Sequence, residues 1–207
     1  DPQSFSANIR VEGRSANLLY YSSFDVQNNG DNRLTVYDAV TQALENASIS
    51  YEGTAYLTTV DGESASDSAG WLFSYNGASP SKGMSQTILE ENAEIVLYYG
   101  DYLLVNPDIE TTLIGDDIQI TFTSYDVGVS GITVYWNGTA VDGVTDEDGN
   151  ITISGISSGT YTMQIEKNID GVPTVLRLAP GYEVRIEDGD TFGSVPTTPS
   201  ESIARVY

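Results

Sequence analysis

The stretch Thr35-Val36-Tyr37-Asp38-Ala39-Val40-Thr41-Gln42-Ala43-Leu44-Glu45-Asn46 decides how the first half of the chain is read. Thr35 and Asp38 have capping-box spacing, in which each side chain satisfies a backbone N–H of the other residue. Val36, Val40, Ala43 and Leu44 recur at helical spacing and share one face. A helix is therefore expected from about Val36 to Asn46, and no other stretch has this period. Upstream, Phe5–Glu12 alternates as a strand, Leu18–Phe24 is a second extended run, and Asn28–Asn32 is a turn cluster. Downstream, Ala55–Val60, Gly70–Tyr75 and Ile95–Tyr99 read as short strands. Turn pairs at Asp61-Gly62, Asn76-Gly77 and Gly100-Asp101 punctuate them. One helix on a small mixed sheet is the expected architecture.

Near Asn106-Pro107 the helical period disappears. Ile118–Thr123, Ile132–Trp136, Ile151–Ile153, Tyr161–Glu166, Thr174–Leu178 and Tyr182–Ile186 are short alternating runs, with Leu113-Ile114 as a leading strand. Gly and Asp/Asn turns separate them, the spacing of an antiparallel sandwich. From residue 191 the composition thins to a Ser/Thr/Pro tail, which ends in the alternating Ile203-Ala204-Arg205-Val206-Tyr207. The fold class expected is mainly β: an α+β domain over residues 1–104, an antiparallel sandwich over 105–190, and a tail over 191–207 with a strand-like end.

Composition excludes much chemistry. The 207 residues carry 30 acidic and 8 basic side chains, a net charge of −22, with no His and no Cys. Cys/His zinc sites, haem ligation, iron–sulfur clusters, thiol nucleophiles and Ser-His-Asp triads are ruled out. Nucleic acid and anionic membrane surfaces are disfavoured, because both are bound mainly through Lys and Arg. No apolar run is long enough for a transmembrane helix. Hydrophobic residues make up 40% of the chain, including fourteen Tyr, enough to bury a core despite the charge. The opening Asp1-Pro2-Gln3, without Met or a basic, apolar leader, is expected to belong to a mature or trimmed polypeptide.

Several motifs of the first half occur together. They are Ile9-Arg10-Val11-Glu12-Gly13, Leu34–Val40 entering the helix, Ile49-Ser50-Tyr51-Glu52, and Gly70-Trp71-Leu72-Phe73-Ser74-Tyr75-Asn76-Gly77. Gly83 and Leu89 then lead to Ile95–Tyr99. Together they resemble the β-grasp domain of the transcobalamin C-terminal-like family, over about residues 6–102. Glu91-Asn92-Ala93-Glu94 departs from it, since that family more often carries a Gly-Asp turn there. The resemblance implies the fold; cobalamin binding is not carried over, because the helical partner domain of the vitamin carriers has no counterpart here. The second half resembles, more loosely, immunoglobulin-like and carboxypeptidase-regulatory-like sandwich modules of surface proteins. The carrying residues are Gly131–Tyr135, Thr145–Ile153 and Gly159–Thr162.

Candidate sites are few. Asp146, Asp148 and Asn150, with Gly149 between, have oxygen ligands at alternating positions and could wrap a calcium ion, the one cofactor considered. The competing reading is a hairpin turn that uses Asp, Gly and Asn for their tolerance of positive φ. Asp25 to Asp31 offers the same choice, while Asp61, Glu63 and Asp67 read as solvated charge. Trp71 and Trp136 read as core anchors. Of the pairs Tyr20-Tyr21 and Tyr98-Tyr99, at most one member each is expected in the core, because neighbours on a strand point to opposite faces. Asn46, Asn137 and Asn150 head glycosylation sequons, no more than chance supplies. Thirty acidic residues make close carboxylate pairs inevitable, so no catalytic pair can be nominated and a non-enzymatic protein is expected.

The reading favoured is an extracellular, cell-surface protein of a prokaryote that assembles with copies of itself into a filament or layer. Strand addition would use the terminal segments, with Phe5, Ile9, Ile203, Val206 and Tyr207 as contact residues. The alternative is an adhesin or binding module for a glycan or another surface protein. Neither reading involves nucleic acid or membrane insertion.

Overall fold

The computed structural model describes residues 4–28, 30, 33–105, 107–176, 181–187, 193–194 and 197–200. The chain divides into two compact units between Tyr102 and Leu103, close to the boundary expected at residue 104. Both are mainly β, and α1 is the one α-helix among the described residues.

The first unit contains β1 (Phe5–Glu12), β2 (Asn17–Val26), α1 (Val36–Asn46), β3 (Tyr51–Glu52), β4 (Thr59–Val60), β5 (Glu63–Ser64), β6 (Ala69–Tyr75) and β7 (Ala93–Asp101). Its main sheet has the order β2-β1-β7-β6. The central pair β1–β7 is parallel and the two outer pairs are antiparallel. A parallel pair needs a long connection between its strands, and α1 lies in it. The capping box forms as expected: the Asp38 N–H donates to Thr35 Oγ1 (3.3 Å) and the Thr35 N–H to Asp38 Oδ2 (2.8 Å). Val36, Ala39, Val40, Ala43 and Leu44 are buried against the sheet. Beyond the C-cap Ala47, Ser48 takes φ 57° and turns the chain out of the helix through the left-handed region without a glycine.

Four sequence expectations are corrected here. Of Ala55–Val60 only Thr59–Val60 is strand, paired in the small β3-β4-β5 sheet. Gly100-Asp101 is no turn; β7 runs through both residues and pairs them with Gly70 and Ala69. Tyr98 and Tyr99 are both buried (1% and 0% exposed), because β7 lies between β1 and β6 and is covered on both faces. The Glu91-Asn92 departure is also absorbed: Asn92 takes φ 60° and donates its N–H to the Ser6 carbonyl, so Asn serves where Gly was expected.

The second unit contains β8 (Asp108–Ile114), β9 (Asp117–Ser124), β10 (Val127–Gly128), β11 (Ile132–Trp136), β12 (Thr139–Ala140), β13 (Asn150–Ile153), β14 (Gly159–Ile169), β15 (Val172–Leu176), β16 (Gly181–Ile186), β17 (Gly193–Ser194) and β18 (Thr197–Ser200). They form two antiparallel sheets. One has the order β10-β9-β8-β17, with β13 also on β9; the other has β12-β11-β14-β16-β18, with β15 also on β14. Burial alternates along the strands: Ile118, Ile120 and Phe122 of β9 and Ile132, Val134 and Trp136 of β11 are buried, while their neighbours are half-exposed. Two such one-sided sheets in one compact unit bury their apolar faces together, at about 1.5–3 kcal/mol per large side chain. Thr145 is buried but satisfied, accepting from the Ile132 N–H (3.0 Å) and donating to the Val129 carbonyl (2.7 Å).

Of the run expected over Thr174–Leu178, residues 174–176 are strand, part of β15, which starts earlier at Val172; Arg177 and Leu178 lie outside the described residues. The larger correction concerns the tail. Gly193–Ser194 pairs with β8 and Thr197–Ser200 with β16, so the second unit's sheets extend well past residue 190. Pro199 sits opposite Tyr182 on the outermost strand, a position where a missing N–H is tolerated.

Candidate functional site

The sheet edges of the first unit differ in chemistry. At one end β2 pairs with β1 in a broken register, with irregularities between Ala7 and Ile9 and between Val11 and Glu12. Such bulges twist an edge and make it a poor template for another strand. Tyr20 on this strand is 55% exposed, with the Arg10 guanidinium 5.3 Å from its ring, while Tyr21 stacks on Phe24 at 5.1 Å. Here the expectation of one exposed tyrosine per pair holds.

At the other end β6, Ala69-Gly70-Trp71-Leu72-Phe73-Ser74-Tyr75, pairs with β7 in unbroken register over all seven residues. It contains no charge and no proline. Among the described residues its other side is met at both ends: the Ser66 N–H donates to the Ala69 carbonyl (2.8 Å), and Tyr75 exchanges backbone bonds with Ala78 (2.9 and 3.1 Å), which leaves the outward groups of Trp71 and Phe73 as the open part of the edge. Trp71 anchors the strand: it is 7% exposed, packs edge-on against Tyr99, and donates Nε1–H to the Glu63 carbonyl (2.8 Å). Leu72 and Phe73 are half-buried. Glu63, expected as solvated charge, instead accepts the Arg14 N–H through Oε2 (2.9 Å).

Of the expected contact residues, Ile9 is fully buried on β1, an interior strand paired on both sides, and Phe5 is half-buried at its start. The strand-like start of the chain thus finds its partners within the first unit. Ile203, Val206 and Tyr207 lie outside the described residues.

The Asp146-to-Asn150 loop is built as a turn. Asp146 Oδ1 accepts the N–H of Asp148 (3.0 Å) and of Asn150 (2.8 Å), and the Gly149 N–H donates to the Asp146 carbonyl (3.0 Å). Asn150 Oδ1 accepts from the Thr121 hydroxyl (2.7 Å). Gly149 has φ 81°, and a Cβ there would strike the Phe122 carbonyl of β9. Two of the three oxygen ligands proposed for calcium are therefore spent on holding the turn. Among the described residues no group of three or more Asp and Glu converges as a metal site.

At the sequons, Asn46 Nδ2 donates to the Tyr21 hydroxyl (2.8 Å), and Asn137 Oδ1 accepts from the Thr162 N–H (2.8 Å). Two clefts also lie among the described residues. One of about 510 Å³ in the first unit is lined by Arg33, Thr35, Lys82, Ser85 and Gln86, and so gathers two of the eight cations. The other, of about 410 Å³ in the second unit, lies beside Trp136, itself buried at 8% exposure as expected of a core anchor. Sequence reasoning did not anticipate either cleft, since each is assembled from segments far apart in the chain.

Residues 34–101 match the family model described as a domain of unknown function (DUF4430). DUF4430 is a transcobalamin-like family, which supports that resemblance over the span from the capped helix through β7. The DUF4430 match leaves out β1, β2 and the whole second unit. No curated protein and no solved structure matches the chain.

Proposed function

We propose that the chain is a non-enzymatic, extracellular surface protein of a prokaryote that assembles with copies of itself into a filament or layer by strand addition. In this reading its first unit is a transcobalamin C-terminal-like β-grasp domain and its second an immunoglobulin-like sandwich. The mixed order β2-β1-β7-β6, with α1 in the parallel connection, supports the first assignment. Two antiparallel sheets support the second.

The observation that carries the assembly reading is β6. Natural sheets blunt a free edge with lysine, proline, bulges or a cover, because an open row of backbone donors and acceptors recruits further strands. β2 is blunted by its irregular register. β6 has no charge, proline or bulge, in a chain with 18% charged residues, and between its covered ends the outward backbone groups of Trp71 and Phe73 stay open. A strand left so open in a secreted, acidic protein is best explained as an acceptor for a strand of a second copy. The alternating segment Ile203–Tyr207 is the donor we assign. Adding one copy's terminal segment to the next copy's edge makes a head-to-tail contact that need not close.

Negative-stain microscopy of the purified chain and of a version ending at Ser200 tests this. The truncation retains β18, so it should stay folded. The full chain should form filaments or sheets and the truncated one should remain monomeric. A full chain that stays monomeric at high concentration, or a truncated one that still polymerises, contradicts the assignment.

A further inference from the structure

We propose that the cleft beside Trp136 is a binding site for a neutral saccharide. It lies in the second unit where β11 and β12, at the edge of one sheet, come near β13 of the other. Its volume of about 410 Å³ falls within the range of roughly 300–1,000 Å³ typical of small-molecule sites.

The donor set sets the chemistry. The indole Nε1–H of Trp136 is buried and has no acceptor. A buried donor left unpaired costs about 1–3 kcal/mol, so a ligand acceptor that reached Nε1 from the cleft, of which Trp136 forms a wall, would be favoured by that unmet bond. Tyr161 stacks on the indole (4.8 Å between centroids, 25° between planes), which fixes the ring and with it the direction of the N–H. Thr139, Thr152 and Ser154 bring three hydroxyls to the walls, each able to donate or accept, and Asp142 brings one carboxylate. None of these four side chains hydrogen-bonds another described residue, so all are available to a ligand. Val141 and Ile153 supply apolar wall for C–H faces.

Among the described residues no cation lines the cleft. Together with Asp142 and the −22 charge of the chain, that disfavours acids and phosphates. A ring carrying several hydroxyls but no charge meets every group present: its hydroxyls donate to Asp142, accept from the indole, and exchange bonds with the threonines and serine. This site is independent of the assembly reading, because a chain that never polymerises would still carry it.

The test is titration of the full chain with glucose, galactose, mannose and N-acetylglucosamine, and with glucuronate as the charged counterpart. Tryptophan fluorescence and saturation-transfer NMR report binding. At least one neutral sugar should bind saturably with Kd below about 10 mM. Asp142→Asn, an exposed and nearly isosteric change, should weaken it about tenfold, as expected for losing a charge-assisted hydrogen bond. Glucuronate should bind at least tenfold more weakly than its neutral counterpart glucose, the carboxylate repelled by Asp142. Failure of all four neutral sugars to bind would overturn the proposal. So would binding that Asp142→Asn leaves unchanged, or glucuronate binding as well as glucose.

Discussion

Tyr51 donates its hydroxyl to Glu45 Oε1 at 2.6 Å, and that bond, with a smaller contribution from burial, pushes the phenol up to about 12. The sign follows directly. The folded phenol holds its proton more tightly than the unfolded one, which titrates near 10. The stability contributed is therefore complete below pH 10 and is lost as the pH rises from 10 to about 12. Following the Tyr51 ring by NMR should show late ionisation that Glu45→Gln moves back towards 10; an unshifted curve would contradict the assignment. Gly149 gives a second residue-scale prediction. Because a Cβ would meet the Phe122 carbonyl and φ is positive, Gly149→Ala should cost roughly 3 kcal/mol in a denaturant melt. At this scale the sequence was only partly legible. Asp146, Gly149 and Asn150 had two readings because turn and cation chemistry use the same residue types; backbone N–H groups claiming Asp146 Oδ1 separate them. Tyr98-Tyr99 was misjudged because pleating predicts which face each residue takes, while β7 is covered on both faces.

Among the elements, α1 was legible almost to the residue, since its start depends on a side chain three positions away. Removing that cap with Thr35→Ala should lower stability by about 1 kcal/mol, read as a shift in the denaturant midpoint at unchanged slope. The strands with apolar alternation, β1, β9 and β11, were equally plain. What escaped were short pieces whose place is set by backbone pairing alone: β5, β10 and β12, and β17 and β18 in the tail. An edge is a property of neighbours, so β6 could be read as a strand but not as an open one. Leu72→Lys puts a charge into that edge at a half-buried position. It should leave the monomer's unfolding curve within about 1 kcal/mol of wild type while preventing assembly. A variant that still assembles would show that the joint lies elsewhere.

For the whole molecule, acidity is spread rather than gathered: residues 1–104 carry −10 and the remainder −12. Copies must associate against this repulsion through backbone and apolar contacts. Assemblies should accordingly loosen as salt is withdrawn, because the repulsion, confined to about 10 Å at 0.1 M, reaches about 30 Å at 0.01 M. Light scattering across a salt series reads this directly, and assemblies indifferent to salt would show that the charge does not oppose them. The central claim is that β6 is the acceptor edge. Amide hydrogen exchange over residues 69–75, compared between dilute monomer and assembled material, tests it most directly. The account predicts that the outward-facing Trp71 and Phe73 amides exchange more slowly in the assembly, while those of β2 do not change. Equal exchange of β6 in both states, with protection gained at another edge or at none, would contradict it.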